Sequence, residues 1–177
     1  MRLFIAVLLS DDVKIALQKL QDQIKSQVYK GSFTRPENFH LTLAFLGETP
    51  ESRVAVLHRI IQEINFLPFE ITFNRTGFFK HGGKELWWAG INANDPMLSQ
   101  LKSLHEQLIN RLEKEGFPVD KRSFNTHITL GREIKHSKPI ALEFQSIKVS
   151  VDRISLMKSE RTGGVLQYTE LFPQNCG

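Results

Sequence analysis

Two His-x-Thr triplets, His40-Leu41-Thr42 and His127-Ile128-Thr129, stand 87 residues apart in a chain of 177, and each closes a similar order of elements. Ahead of the first lies Leu3-Phe4-Ile5-Ala6, and 83 residues later Leu86-Trp87-Trp88-Ala89 leads to the second. The near-equal offsets mark a degenerate internal repeat with a few inserted residues. No linker rich in Pro, Gly or Ser separates the halves, roughly 1–85 and 86–177. The expected architecture is therefore α+β. A single bilobal domain over 1–177 carries two pseudo-symmetric lobes, each a mainly antiparallel sheet with outer helices, around a central cleft that holds both motifs.

The local pattern supports that reading. The run Leu3 to Leu9 is too short for a secretory leader, ends in Ser10-Asp11-Asp12 and offers no small-residue cleavage site, so it reads as a buried strand. Val13, Ala16, Leu17, Leu20, Ile24 and Val28 follow at helical spacing behind Ser10, and a turn is expected at Gly31. Phe39 to Leu46 reads as a strand, and a helix is expected from Thr49-Pro50, a cap residue followed by proline. A strand Phe69 to Arg75 and a loop around His81-Gly82-Gly83 complete the first half. The second opens with the strand Leu86 to Ile91, a helix after Asp95-Pro96 that stops at Gly116, and the strand that carries His127. From Ala141 to Leu171 apolar and polar residues alternate, as in strands joined at Arg161-Thr162-Gly163-Gly164.

Alternation along a strand gives the triplets their chemistry. Phe39, Leu41, Leu43 and Phe45 point to the core, while His40 and Thr42 share the other face, ~6.5 Å apart along the strand. His127 and Thr129 stand likewise against Ile128 and Leu130. Two imidazoles flanking one substrate suit phosphodiester hydrolysis, one taking a proton from water and the other giving one to the departing oxygen. An unperturbed pKa of ~6.5 lets one ring be neutral and the other charged near neutrality. Threonine hydroxyls can donate to phosphate oxygens as charge builds.

These residues, with Arg2-Leu3-Phe4-Ile5-Ala6, the run Arg35 to Gly47, His127 to Arg132, Ser159-Glu160 and Tyr168, make the chain resemble the 2H phosphoesterase superfamily. Within it the resemblance is to the LigT-like RNA 2′,3′-cyclic phosphodiesterases, also called 2′-5′ RNA ligases. It implies opening of an RNA 2′,3′-cyclic phosphate to a 2′-phosphate, and ATP-independent 2′-5′ joining as the reverse chemistry. It implies His40 as the acid toward the 3′ oxygen and His127 as the base toward water. Thr42, Thr129 and Arg132 would hold the phosphate. Strict alternation puts Arg132 opposite His127, so its part requires a bulge or twist in the strand. Thr126 replaces a proline common in that family and should alter strand entry. No cofactor and no metal is implied. The expected partners are RNAs with cyclic phosphate ends, tRNA fragments being candidates, met by a cytoplasmic monomer with no membrane role.

Composition is compatible with this. The formal charge of +4 and pI near 9.3 mildly favour a polyanion. The one cysteine, Cys176, excludes a disulfide framework or a cysteine zinc site, and no stretch reaches the ~20 apolar residues of a membrane helix. A P-loop, Lys-x-Asp-Gly and His-Glu-x-x-His are absent. His58 and His105 read as edges of apolar helix faces, His81 as a solvated hairpin tip and His136 as surface. Phe78, Phe79, Trp87 and Trp88 are available in principle as a base-stacking platform. Two alternatives stay open: a relative acting on small cyclic nucleotides or 2′-5′ oligonucleotides, and a catalytically idle module that binds RNA ends. An open groove with basic and aromatic side chains favours RNA, and a closed pocket a small ligand.

Overall fold

A computed structural model describes residues 1–120 and 124–174, apart from the side chain of His81; Cys176 lies outside the described residues. Among the described residues nine strands form two antiparallel sheets. The first has β3 (His40–Glu48), β1 (Arg2–Leu8), β8 (Ser155–Thr162) and β9 (Val165–Pro173) in that spatial order. The second has β2 (Lys30–Phe33), β6 (His127–Lys135), β5 (Lys84–Ile91), β4 (Phe69–His81) and β7 (Ile147–Val151). The lobes thus do not coincide with the halves 1–85 and 86–177: β8 and β9 join the first sheet, and β2 and β4 join the second. The helices are interleaved too. α2 (Val54–Glu63) packs on β8 and α3 (Leu98–Lys114) on β3, whereas α1 (Asp11–Lys25) packs on β6 and β7 of the other sheet. Such exchange ties the lobes together through one continuous apolar core that includes Leu17, Leu41, Ile61, Leu108, Ile128 and Val149.

Central strand β1 is buried on both faces. Leu3, Ile5 and Val7 enter the main core, while Phe4 and Ala6 form a small second cluster with Met157, Leu8 and Tyr168 beneath the cleft. Several boundaries differ from the sequence reading for identifiable reasons. Gly31 lies inside β2, where a Cβ would meet Ile134 Cδ1 at 2.4 Å, so glycine serves close packing there and not a turn. α2 begins only at Val54, after a 3-10 turn over Glu51–Arg53, because Thr49 is engaged in backbone bonds with Met1 in both directions. Residues 141–146 are not strand: their amides and carbonyls at Ala141 and Glu143 bond the side chains of Gln27 and Gln23 on α1. Asp95 does cap the approach to α3, accepting the Met97 N–H at 2.8 Å, and Gly116 ends it with φ of 75°.

The feature that positions the site is a pair of matching bulges. On β3, Thr42 faces Ala6 and Ala44 faces Ile5, so Leu43 is an extra residue. On β6, Thr129 faces Trp88 and Gly131 faces Trp87, so Leu130 is extra. Each bulge reverses the alternation beyond it. Leu43 and Ala44 are both buried, as are Leu130 and Gly131. Phe45, expected in the core, is therefore 49% exposed on the face of His40, and Arg132 turns to the face of His127.

A polar side chain reaches each bulge from a helix, Gln21 buried and His105 half-buried. Gln21, fully buried on α1, donates through Nε2 to the carbonyls of Leu130 and Thr34, both at 2.7 Å. His105 on α3 bonds the Leu43 backbone; the bond favours the charged imidazole, so the carbonyl accepts from the ring. Replacing Gln21 by leucine removes the side-chain donor to the Thr34 carbonyl and one of the two donors to Leu130, whose carbonyl keeps the Thr34 N–H at 3.0 Å. The expected loss in a urea or thermal unfolding series is about 1–3 kcal/mol, against less than about 0.5 kcal/mol for Lys19→Leu at an exposed position of the same helix; equal losses at both positions would show that the amide holds nothing.

Candidate active site

β3 and β6 approach each other where the two sheets meet, and their polar faces line one cleft of ≈ 680 Å³. His40, Thr42, His127, Thr129 and Arg132 all contribute to its wall, so the five residues singled out in the sequence come together. Both rings are held the same way. His40 Nδ1 lies 2.7 Å from the Asn38 carbonyl and His127 Nδ1 lies 2.8 Å from that of Asn125. A carbonyl oxygen only accepts, so each Nδ1 carries the proton and each neutral ring has its lone pair on Nε2. His40 Nε2 sits 2.9 Å from Thr42 Oγ1, which can donate to it while the ring is neutral.

Aromatic walls surround these rings. Phe4 and Tyr168 lie 4.8 and 5.1 Å from His40 between centroids, and Phe79 meets His127 edge-on at 5.5 Å. The apolar surroundings disfavour a charged ring. Burial is the largest influence holding His40 below its ordinary value of 6.5; Arg132 and His127 push the same way, and the bond to Asn38 opposes them. His127 is lowered by burial first and by Arg132, against the bond to Asn125. Both rings are therefore biased toward the neutral form while the cleft holds no anion.

The cleft is basic. Arg2, Arg35, Arg132 and Arg161 line it, and among the described residues no Asp or Glu contributes to its wall. Arg2 lies over the Phe45 ring at 5.1 Å, a cation–π contact that holds both at the rim. This arrangement favours a phosphate-bearing anion over a cation. Among the described residues no group of three or more His, Cys, Asp or Glu side chains is disposed to hold a metal ion.

The other histidines lie apart from this chemistry. His58 packs on Phe172 at 4.6 Å, and His105 stacks on Phe124 at 4.0 Å. His136 is half-buried and not a surface residue, with Nε2 2.9 Å from Glu85 and Nδ1 2.8 Å from the Lys138 carbonyl. Of the four aromatics available as a stacking platform, Trp87 and Trp88 are buried, while Phe78 and Phe79 keep 42% and 39% exposure. Sequence alternation misplaced Phe45, and the apolar spacing of the first helix did not single out Gln21. The available signals were the adjacent pairs Leu43-Ala44 and Leu130-Gly131 in mid-strand, and an amide four residues after Leu17 on the apolar stripe.

Comparison with known proteins agrees with this geometry. A family model described as the 2′-5′ RNA ligase superfamily matches residues 9–163. An RNA 2′,3′-cyclic phosphodiesterase of Archaeoglobus fulgidus is 34% identical over 140 residues, covering 78% of this chain and 76% of its own. One from Thermotoga maritima is 31% identical, covering 92% and 88% respectively. A crystal structure from Thermus thermophilus superposes with a TM-score of 0.81 at 28% identity over 99% of this chain and 98% of that one. E. coli LigT complexed with 3′-AMP gives 0.81 at 23% identity over 97% and 95%, a likeness of fold. The chain belongs to the 2′-5′ RNA ligase superfamily of two-histidine phosphoesterases.

Proposed function

We propose that the protein is an RNA 2′,3′-cyclic phosphodiesterase that opens a terminal cyclic phosphate to a 2′-phosphate by metal-free acid–base catalysis. The observation that carries this reading is the pair of imidazoles in one arginine-lined cleft, each with Nδ1 on a backbone carbonyl, His127 Nε2 left for substrate and His40 Nε2 beside the Thr42 hydroxyl. His127 Nε2 takes a proton from water as its oxygen attacks phosphorus. The bond from phosphorus to O3′ breaks, and O3′ receives the proton carried on His40 Nε2. Thr42, Thr129 and Arg132 donate to the non-bridging oxygens, whose charge grows in the transition state. The Thr42 hydroxyl beside His40 Nε2 is freed for this once the ring is protonated, since an imidazolium no longer accepts.

The same cleft can run the reaction backwards with a 5′-hydroxyl in place of water, which is the ATP-independent 2′-5′ joining reading. An RNA end is favoured over a small cyclic nucleotide because the site is an open cleft with Arg35 and Arg161 toward the solvent and Phe45 half-exposed at its rim. The proposal takes tRNA fragments with cyclic ends as substrates and a cytoplasmic monomer as the working form. No described helix is long and apolar enough to cross a membrane.

Two measurements test the reading. With EDTA present, the parent should convert an RNA ending in a 2′,3′-cyclic phosphate to the 2′-phosphate, and His40→Ala or His127→Ala should each lose ~10²-fold or more. Substrate bound but untouched by the parent would favour the idle binding module, and chelator-abolished activity restored by a divalent ion would refute the metal-free step. The second is the pH profile. The free enzyme needs His127 neutral and His40 charged, and burial lowers both. As pH rises through the lowered value of His40 the acid is lost, so kcat/KM should peak on the acid side of 6.5. Bound phosphate favours both charged rings, so the alkaline limb of kcat should lie at higher pH than that of kcat/KM. A flat profile from about pH 5 to 9 would count against the histidine pair.

A further inference from the structure

A second groove, of ≈ 180 Å³, lies on the other side of His127. It shares that ring with the central cleft, but His40 is not part of its wall. The strand entry Asn125-Thr126 forms one side, the exposed Phe79 ring and Phe124 flank it, and Arg75 and Lys102 supply positive charge. Trp88 forms its buried base. That ring is wedged between two backbones: a Cβ on Gly77 would meet it at 2.5 Å and one on Gly90 at 2.7 Å. Its indole N–H has no acceptor among the described residues, and the Arg75 guanidinium lies 5.1 Å above the ring. Arg75 and Lys102 belong to different elements, β4 and α3, and both line this groove.

In-line displacement at phosphorus requires the nucleophile to arrive opposite the leaving O3′. If His40 serves O3′ and His127 the nucleophile, the nucleophile side is the His127 end of the cleft. Water needs no binding surface there, whereas a nucleoside bearing a 5′-hydroxyl does. We propose that this aromatic and basic groove is the acceptor subsite for the strand whose 5′-hydroxyl replaces water, the base resting on Phe79 and the following phosphates meeting Arg75 and Lys102. The proposal deepens the joining reading given above and rests on it. In the step, the 5′ oxygen bonds to phosphorus and its proton passes to His127 Nε2. The bond from phosphorus to O3′ breaks, and O3′ takes the proton from His40. The product is a 2′-5′ phosphodiester beside a free 3′-hydroxyl, with no net change in atoms or charge.

The test uses the full chain and the double variant Arg75→Ala/Lys102→Ala, neither residue lining the central cleft. One arm follows hydrolysis of a 2′,3′-cyclic mononucleotide. The other supplies RNA with a 2′,3′-cyclic end together with a 5′-hydroxyl oligoribonucleotide, and reads the ratio of joined to hydrolysed product. The variant should hydrolyse the mononucleotide within about twofold of the parent while its joining ratio falls by about fivefold or more. An unchanged ratio, a parent that hydrolyses but never joins, or equal losses in both arms would overturn the acceptor subsite. A parent inert in both arms would remove the phosphodiesterase reading itself, an outcome the mononucleotide arm identifies separately.

Discussion

The carbonyl of Leu130 accepts from the Gln21 amide and from the Thr34 N–H, and much of the site depends on that one acceptor being held. A strand of strict alternation carrying His127 and Thr129 on one face would send Arg132 into the opposite layer. The extra residue at Leu130 reverses the phase, and a buried carbonyl at such a break must keep its donors or cost the fold its desolvation. Gln21 provides one from a helix that is otherwise apolar on that side. The matching bulge at Leu43 is held by His105, in the equivalent place on α3. The repeat therefore duplicates the device that aims the strand as well as the His-x-Thr triplet.

Symmetry in the backbone permits difference in the side chains. Phe45 and Arg132 occupy corresponding places, five residues after His40 and His127, and both reach the cleft. One end thus presents a half-exposed ring with Arg2 over it, and the other a guanidinium that lowers both histidines. Two identical imidazole settings would not by themselves separate an acid from a base. The neighbours differ: His40 is enclosed by Phe4 and Tyr168 and touches Thr42, while His127 borders Phe79 and the second groove. These unlike surroundings are what an asymmetric proton transfer needs.

The repeat, the three long helices and the facing triplets were legible because they depend on residue type at fixed spacing. Interleaving of the lobes was not, since β8 and β9 have the same alternation whether they join one sheet or the other. Gly31 carries a turn signal in any sequence reading, yet it lies in β2, paired with β6 and packed closely on the end of the Ile134 side chain. Arg132 was legible only as a residue needing a bulge, and Phe45 was misassigned because a single inserted residue inverts everything beyond it. A polar residue on an apolar helical stripe, as at Gln21 and His105, is the trace such a bulge leaves in the sequence.

The central claim is that both rings are fixed through Nδ1 and present Nε2 to one phosphate. Nitrogen-15 NMR of the two imidazoles, recorded on the neutral rings and again with a 2′-phosphate-ended nucleotide, tests it directly. The account requires the proton on Nδ1 in both neutral rings, titration of both below 6.5 in the free protein, and upward movement of both when the phosphate binds. A neutral His127 protonated on Nε2, or a phosphate that moves only one of the two rings, would contradict it.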